Sequence, residues 1–212
     1  MAVQLLDEIE LRVLGCLIEK QRTTPEQYPL TLNALRLACN QATNREPAME
    51  LDESQVRAAA QSLGARGYAR LATGPGSRTA KYRQLFGEAL DLMPAEISLL
   101  GVLMLRGPQT VAELKTRTER LHRFADAGEV EATLRRLGER ELVHNVGKGP
   151  GQSAERWAHL VGRGSTDETT PAAPAAVPAP APAPGNVEQR VARLESRLDE
   201  LERQLAERGV LQ

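Results

Sequence analysis

Three histidines, two cysteines and one glycine-rich stretch are the places where this 212-residue sequence could do covalent or metal chemistry. His122, His144 and His159 are scattered, and none stands at metal-ligand spacing such as HExxH. Cys16 and Cys39 lie in apolar helical patterns with no CxxC and no nearby histidine. That setting marks small core residues rather than ligands or redox groups. Gly147-Lys148-Gly149-Pro150-Gly151 carries glycines that would let backbone N–H groups approach an anion. A Walker loop, however, needs Ser or Thr after the lysine and then a helix. A strand follows instead, so the stretch reads as a turn. Glu139 and Glu141 flank a helix end and should be solvated. The residues call for no catalytic group, no metal and no cofactor, and no enzyme is expected.

Recognition of nucleic acid is a different chemistry, and one set of residues suits it. Arg57 and Gln61 stand four apart on a helical pattern and so share its outer face. Arginine can pair with guanine and glutamine with adenine, each by two hydrogen bonds. Arg70, Arg78, Lys81 and Arg83 follow on a hairpin, where cations would meet phosphates. Later in the chain Arg135, Arg136, Arg140, Lys148 and Arg156 form a similar series. Two features oppose this reading. The net charge is -1, so there is no bulk basic character. Acidic residues also crowd the start of both helices concerned: Glu50, Asp52 and Glu53 in one, Glu129 and Glu131 in the other. They favour the helix dipole and would repel phosphates at that end.

The elements that must position these residues are written twice. Ser62-Leu63-Gly64-Ala65-Arg66-Gly67 with Gly74-Pro75-Gly76 and Lys81-Tyr82 is echoed by Arg136-Leu137-Gly138-Glu139-Arg140-Glu141 with Gly149-Pro150-Gly151 and Arg156-Trp157. Each reads as a helix end running into a β-hairpin. Glu96-Ile97-Ser98-Leu99-Leu100-Gly101-Val102-Leu103 repeats Glu10-Leu11-Arg12-Val13-Leu14-Gly15-Cys16-Leu17. Pro108 to Leu114 echoes Pro29 to Leu35.

Local signals fill in each copy. Leu6, Ile9, Val13, Leu14, Leu17 and Ile18 predict an amphipathic helix from about Leu5 to Arg22. Thr24 before Pro25 ends it. Thr31 caps a helix carrying Leu32, Leu35, Leu37 and Cys39. Asp52 with Gln55 resembles a capping box, and Gly67 suits the positive-φ position after the helix.

Pro and Ala alternate up to Pro184, which favours extended polyproline II. Beyond them Val187, Val191, Leu194, Leu198, Leu201 and Leu205 step by four and three. This is a heptad seam, with Arg190 and Arg197 at g and Glu188, Glu195 and Glu202 at e, and it predicts a homodimer through the C-terminal helix. The apolar fraction of 41% is enough for a core, and the aromatic content of 3% leaves Leu, Val, Ile and Ala to fill it. No signal peptide is visible, and no apolar stretch approaches the ~20 residues that span a bilayer, so a cytoplasmic protein without a membrane partner is expected.

Glu10 to Lys20, Tyr28-Pro29-Leu30-Thr31-Leu32-Asn33-Ala34-Leu35, Cys39-Asn40-Gln41, Asn44-Arg45-Glu46-Pro47 and Arg106-Gly107-Pro108-Gln109-Thr110 through His122 resemble the bacterial YceH-like family. The resemblance covers roughly residues 5–160. It implies a tandem winged-helix fold and carries no functional residues. Repeat and resemblance together predict a mainly α protein with small β-hairpins (α+β). Two winged helix-turn-helix domains in tandem, at 1–87 and 92–162, lead to a proline/alanine linker at 163–185 and a coiled-coil helix at 186–212. Such a chain is a DNA-binding, transcription-regulator-like dimer, or else a protein-interaction scaffold that uses winged helices as docking modules without DNA. If the tail pairs, deleting residues 186–212 should turn a dimer into a monomer. Light scattering that finds a monomer before the deletion would refute the pairing.

Overall fold

Helix formers and caps set out the same series of elements twice. In the computed structural model, which describes residues 5–72, 79–149, 151 and 154–162, the first series is α1 (Glu8–Thr23), a 3-10 turn (Pro25–Gln27), β1 (Leu30–Thr31), α2 (Leu32–Cys39), α3 (Glu53–Ala65), β2 (Ala69–Ala72) and β3 (Lys81–Gln84). A short helix, α4 (Phe86–Ala89), leads to the second: α5 (Pro94–Arg106), β4 (Gln109–Thr110), α6 (Val111–Thr118), α7 (Ala127–Glu139), β5 (Val143–Gly147) and β6 (Arg156–His159). Each series closes one antiparallel sheet, ordered β1-β3-β2 and β4-β6-β5. The architecture is α+β, and all described residues fall in one compact unit, Met1–Pro171. The linker at 163–185 and the heptad residues Val187, Val191, Leu194, Leu198, Leu201 and Leu205 lie outside the described residues.

Capping explains where the helices begin. Asp7 and Glu10 satisfy each other's backbone N–H groups at the start of α1, both at 2.8 Å. Asp52 and Gln55 form the anticipated box on α3, and Thr31 accepts from Ala34 N at 3.2 Å on α2. Gly67 follows α3 with φ +75°, where glycine has no Cβ penalty. The equivalent position in the second copy is Glu141, at φ +55°. The two-residue strands β1 and β4 and the short α4 carry no period long enough to read in sequence.

The predicted amphipathic character of the first helix is corrected by its burial. Every residue from Glu10 to Ile18 is buried, and in α5 every residue from Glu96 to Leu105. The reason is that α1 has neighbours on all sides: α2, α3 and β3 of its own copy and α5 of the other. Leu37 on α2 is 55% exposed. The two central helices approach closely at glycine. A Cβ on Gly15 would lie 2.8 Å from Leu105 Cγ and 3.4 Å from Met104 Cβ. One on Gly101 would lie 2.8 Å from Ile18 Cγ2. Gly15 matches Gly101 in the repeat, and Ile18 matches Met104, so the contact is reciprocal. Where the second copy ends, Leu6 N donates to Val161 O at 2.9 Å, and Leu6 bridges Gly162 in parallel.

Most of the polar residues in this core have partners. Glu10 accepts from Ser62 Oγ at 2.5 Å and lies 3.2 Å from Arg66 Nη2. In the second copy Glu96 lies 3.6 Å from both Arg136 and Arg140, at the positions matching Ser62 and Arg66. Each carboxylate therefore ties the first helix of its copy to the end of the third. Arg12 donates to Cys39 O at 3.0 Å and to Pro47 O. Arg45 holds Glu19 at 2.6 Å and Ala38 O at 3.1 Å. Burial alone would raise the Glu19 carboxyl, but the hydrogen bond and charge of Arg45 outweigh it and keep it below its ordinary value. His159 is buried, and its Nδ1, like Arg12 Nε and Gln109 Oε1, has no hydrogen-bond partner among the described residues. Burial, with the nearby His144, pushes it down to about 4.

Two outcomes follow. Gly101→Ala should destabilise the protein by about 1–2 kcal/mol in urea unfolding, because Ile18 is β-branched and cannot swing aside. The higher helix propensity of alanine would predict the opposite sign. For His159, the folded form refuses a proton that the unfolded chain accepts below its ordinary value of 6.5. Stability should therefore fall as pH drops from 6.5 towards about 4, by roughly 3 kcal/mol in all. His159→Leu should flatten that part of the profile, and an unchanged slope would show that other groups carry it.

Candidate nucleic-acid interface

Helix α3 turns Val56, Ala59, Ala60 and Leu63 into the core and leaves Arg57 and Gln61 exposed on the opposite side. The four-residue spacing sets this directly. The hairpin that follows depends on register. Arg70 pairs with Arg83 and Ala72 with Lys81. Tyr82 and Gln84 are buried, so by alternation Lys81 and Arg83 point to the other face of the strand. Arg70, directly opposite Arg83, shares that face. Like charges directly opposite repel, and Arg83 meets Glu88 in an ion pair. Arg57, Arg70 and Lys81 have no carboxylate partner among the described residues. Arg78 and Gly74-Pro75-Gly76 lie outside them.

The second copy uses its matching residues differently. Glu131 and Arg135, at the positions of Arg57 and Gln61, pair with each other at 3.5 Å. Arg136 and Arg140 reach back to Glu96. Arg156 donates to Pro108 O at 2.9 Å and to Glu113 at 3.2 Å. Lys148 stands at the end of the hairpin strand. Between α6, α7 and the hairpin lies a groove of about 560 Å³. Val111, Ala127, Ala154 and Trp157 line it, together with Asn145, Glu155 and the Glu131–Arg135 pair. Trp157 is half-buried, whereas its counterpart Tyr82 is buried.

The groups weighed for catalysis sit apart. His122 packs edge-on against Phe124 with ring centroids 4.6 Å apart. His144 and His159 stand on the second hairpin. Cys16 and Cys39 are free thiols, both buried. Gly147, at the end of β5, and Gly151, in the turn beyond it, take positive φ, and Glu139 and Glu141 are exposed. Among the described residues no group of three or more His, Cys, Asp or Glu could hold a metal, and no helix is long and apolar enough to cross a membrane. One cluster has no local signal in the sequence. Lys20, Arg106, Arg117 and Arg120 come from three helix ends and meet only through the fold.

Residues 6–152 match a family model described as protein of unknown function, DUF480. The chain is 46% identical to a UPF0502 protein of Pelobacter propionicus, over 95% of its own length and 92% of the relative's. A UPF0502 protein of Pseudomonas fluorescens is 45% identical, over 93% of this chain and 94% of the relative. One from Shewanella amazonensis is 44% identical, over 93% and 97%. With the model covering most of the described structure and relatives matched nearly end to end, and in keeping with the resemblance its motifs carry, the chain belongs to the DUF480 (UPF0502) family of bacterial proteins.

Proposed function

We propose that the protein is a dimeric, DNA-binding regulator built on two winged helix-turn-helix units, and that the first unit reads the duplex. One observation carries the reading. An exposed helix face with Arg57 and Gln61 runs through the Gly67 turn into a hairpin that gathers Arg70, Lys81 and Arg83 on one side. A winged helix places its third helix in the major groove and its wing along the backbone, which gives those two groups base edges and phosphates respectively. The second unit, whose matching side chains neutralise each other, plays a supporting part. No catalytic step, metal or cofactor enters this reading, and the protein would act in the cytoplasm as a homodimer joined by its C-terminal helix.

A second reading rests on the groove of the second copy. Its aliphatic walls and half-buried Trp157 suit an apolar segment of another protein better than a phosphate backbone. In that case the chain is a scaffold, and the first copy's cations serve solubility.

Fluorescence anisotropy with duplex DNA separates the two. On the first reading, affinity falls steeply between 50 and 200 mM salt, by roughly 0.9 in log–log slope for each phosphate contact. Arg70→Ala and Lys81→Ala each lower that slope by about 1, while Arg57→Ala relaxes sequence preference. Absence of duplex binding at low salt would sink the DNA reading and leave the scaffold.

A further inference from the structure

Four cations from the two copies line one polar cleft. Lys20 comes from the last turn of α1, Arg106 from the last turn of α5, Arg117 from the last turn of α6 and Arg120 from just beyond it. The cleft encloses about 410 Å³, a volume in the range of small-molecule sites. Its one lining carboxylate among the described residues is Glu19, which Arg45 already grips with two nitrogens at 2.6 and 3.3 Å.

Cations at helix C-termini ordinarily serve the last carbonyls. These carbonyls have other donors. Thr23 Oγ1 donates to Glu19 O at 3.0 Å, and Thr24 N to Lys20 O at 3.1 Å. Gly107 N donates to Leu103 O at 2.9 Å, and Gln109 Nε2 to Arg106 O at 3.1 Å. Thr118 O accepts from Leu121 N and His122 N at 2.7 and 2.8 Å. The four cations turn elsewhere. Lys20 lies 3.4 Å from Glu19 Oε2 and donates to Gln41 Oε1 at 3.4 Å, Arg106 donates to Asn44 Oδ1, and Arg117 pairs with Glu113 at 3.3 Å. Arg120 has no partner among the described residues. Guanidinium carries five donors, so most of them are uncommitted.

The local charge also points one way. Lys20, Arg45, Arg106, Arg117 and Arg120 stand against the carboxylates of Glu19 and Glu113 and about −1.5 in partial charge from three helix ends, which leaves the cleft net positive. Burial lowers Arg106, and the like charges of Arg117 and Arg45 lower it further. An anion with several oxygens would engage the free guanidinium donors bidentately and relieve that repulsion. A single phosphate would fill little of the volume.

We propose that this cleft binds a compact small molecule carrying two or more phosphate groups, held by Lys20, Arg106, Arg117 and Arg120 across the junction of the two copies. The site shares no residue with the face assigned to DNA, so it stands or falls separately.

Calorimetric melting of the full chain with sodium pyrophosphate, against sodium chloride at equal ionic strength, tests it. Near one hundred times the dissociation constant, pyrophosphate should raise Tm by about 5 °C or more, and chloride should not. Arg106→Gln with Arg120→Gln should abolish the shift, and Arg70→Gln should leave it intact. Should the double variant fail to fold, Arg120→Gln alone, at an exposed position, should weaken pyrophosphate by roughly tenfold through loss of a charge-assisted contact. Equal shifts with chloride, no shift, or a shift indifferent to Arg120 would overturn the proposal. So would an Arg120-dependent shift with duplex DNA alone, since the cleft would then belong to a nucleic-acid face.

Discussion

The close crossing of α1 and α5 is the contact on which the rest of the molecule depends. It exists because Gly15 and Gly101 leave room for Leu105, Met104 and Ile18 of the opposite helix. Packing at this distance excludes water between the two helices along their middle turns, and with α2, α3 and β3 on its other sides α1 is buried as a whole run of residues rather than one stripe. It also merges the apolar side chains of the two copies into one core. Since each glycine gives up helix propensity, the sequence accepts a local weakness in exchange for a shared interior.

Burying central helices on all sides obliges their polar residues to find partners. Glu10 and Glu96 solve this in the same manner. Each closes the N-terminus of its own helix and then receives side chains from the end of the third helix, Ser62 and Arg66 in one copy, Arg136 and Arg140 in the other. The exposed faces of α3 and α7 are thereby fixed relative to the core by a buried carboxylate. What each face presents was free to differ: Arg57 and Gln61 on one, an internally paired Glu131 and Arg135 on the other.

Much of this was legible in sequence wherever the cause is local. Thr31, Asp52 and Gly67 act within one helical turn of themselves, and the structure finds each where its type placed it. The outward direction of Arg57 and Gln61 follows from helical spacing alone. The shared face of Arg70, Lys81 and Arg83 needed register as well, because a slip of one residue would send Lys81 inward. The first helix was misjudged for a physical reason. Glu10 and Arg12 interrupt its apolar run and make it look half-solvated, although both are buried with partners. The cationic cleft was invisible because its residues are distant in sequence and each resembles an ordinary helix-ending cation.

The bridge between Leu6 and Gly162 gives the paired copies a mechanical character. A chain that joined two units only through the short α4 segment would have a hinge there. The hydrogen bond from Leu6 to Val161 adds a second joint where the last strand returns to the first helix. Two joints and a glycine-packed strut between them make a frame, which resists rotation about any single axis. Force entering at Gly162 would be met first at that joint and passed to α1, rather than prying the hairpins from their helices.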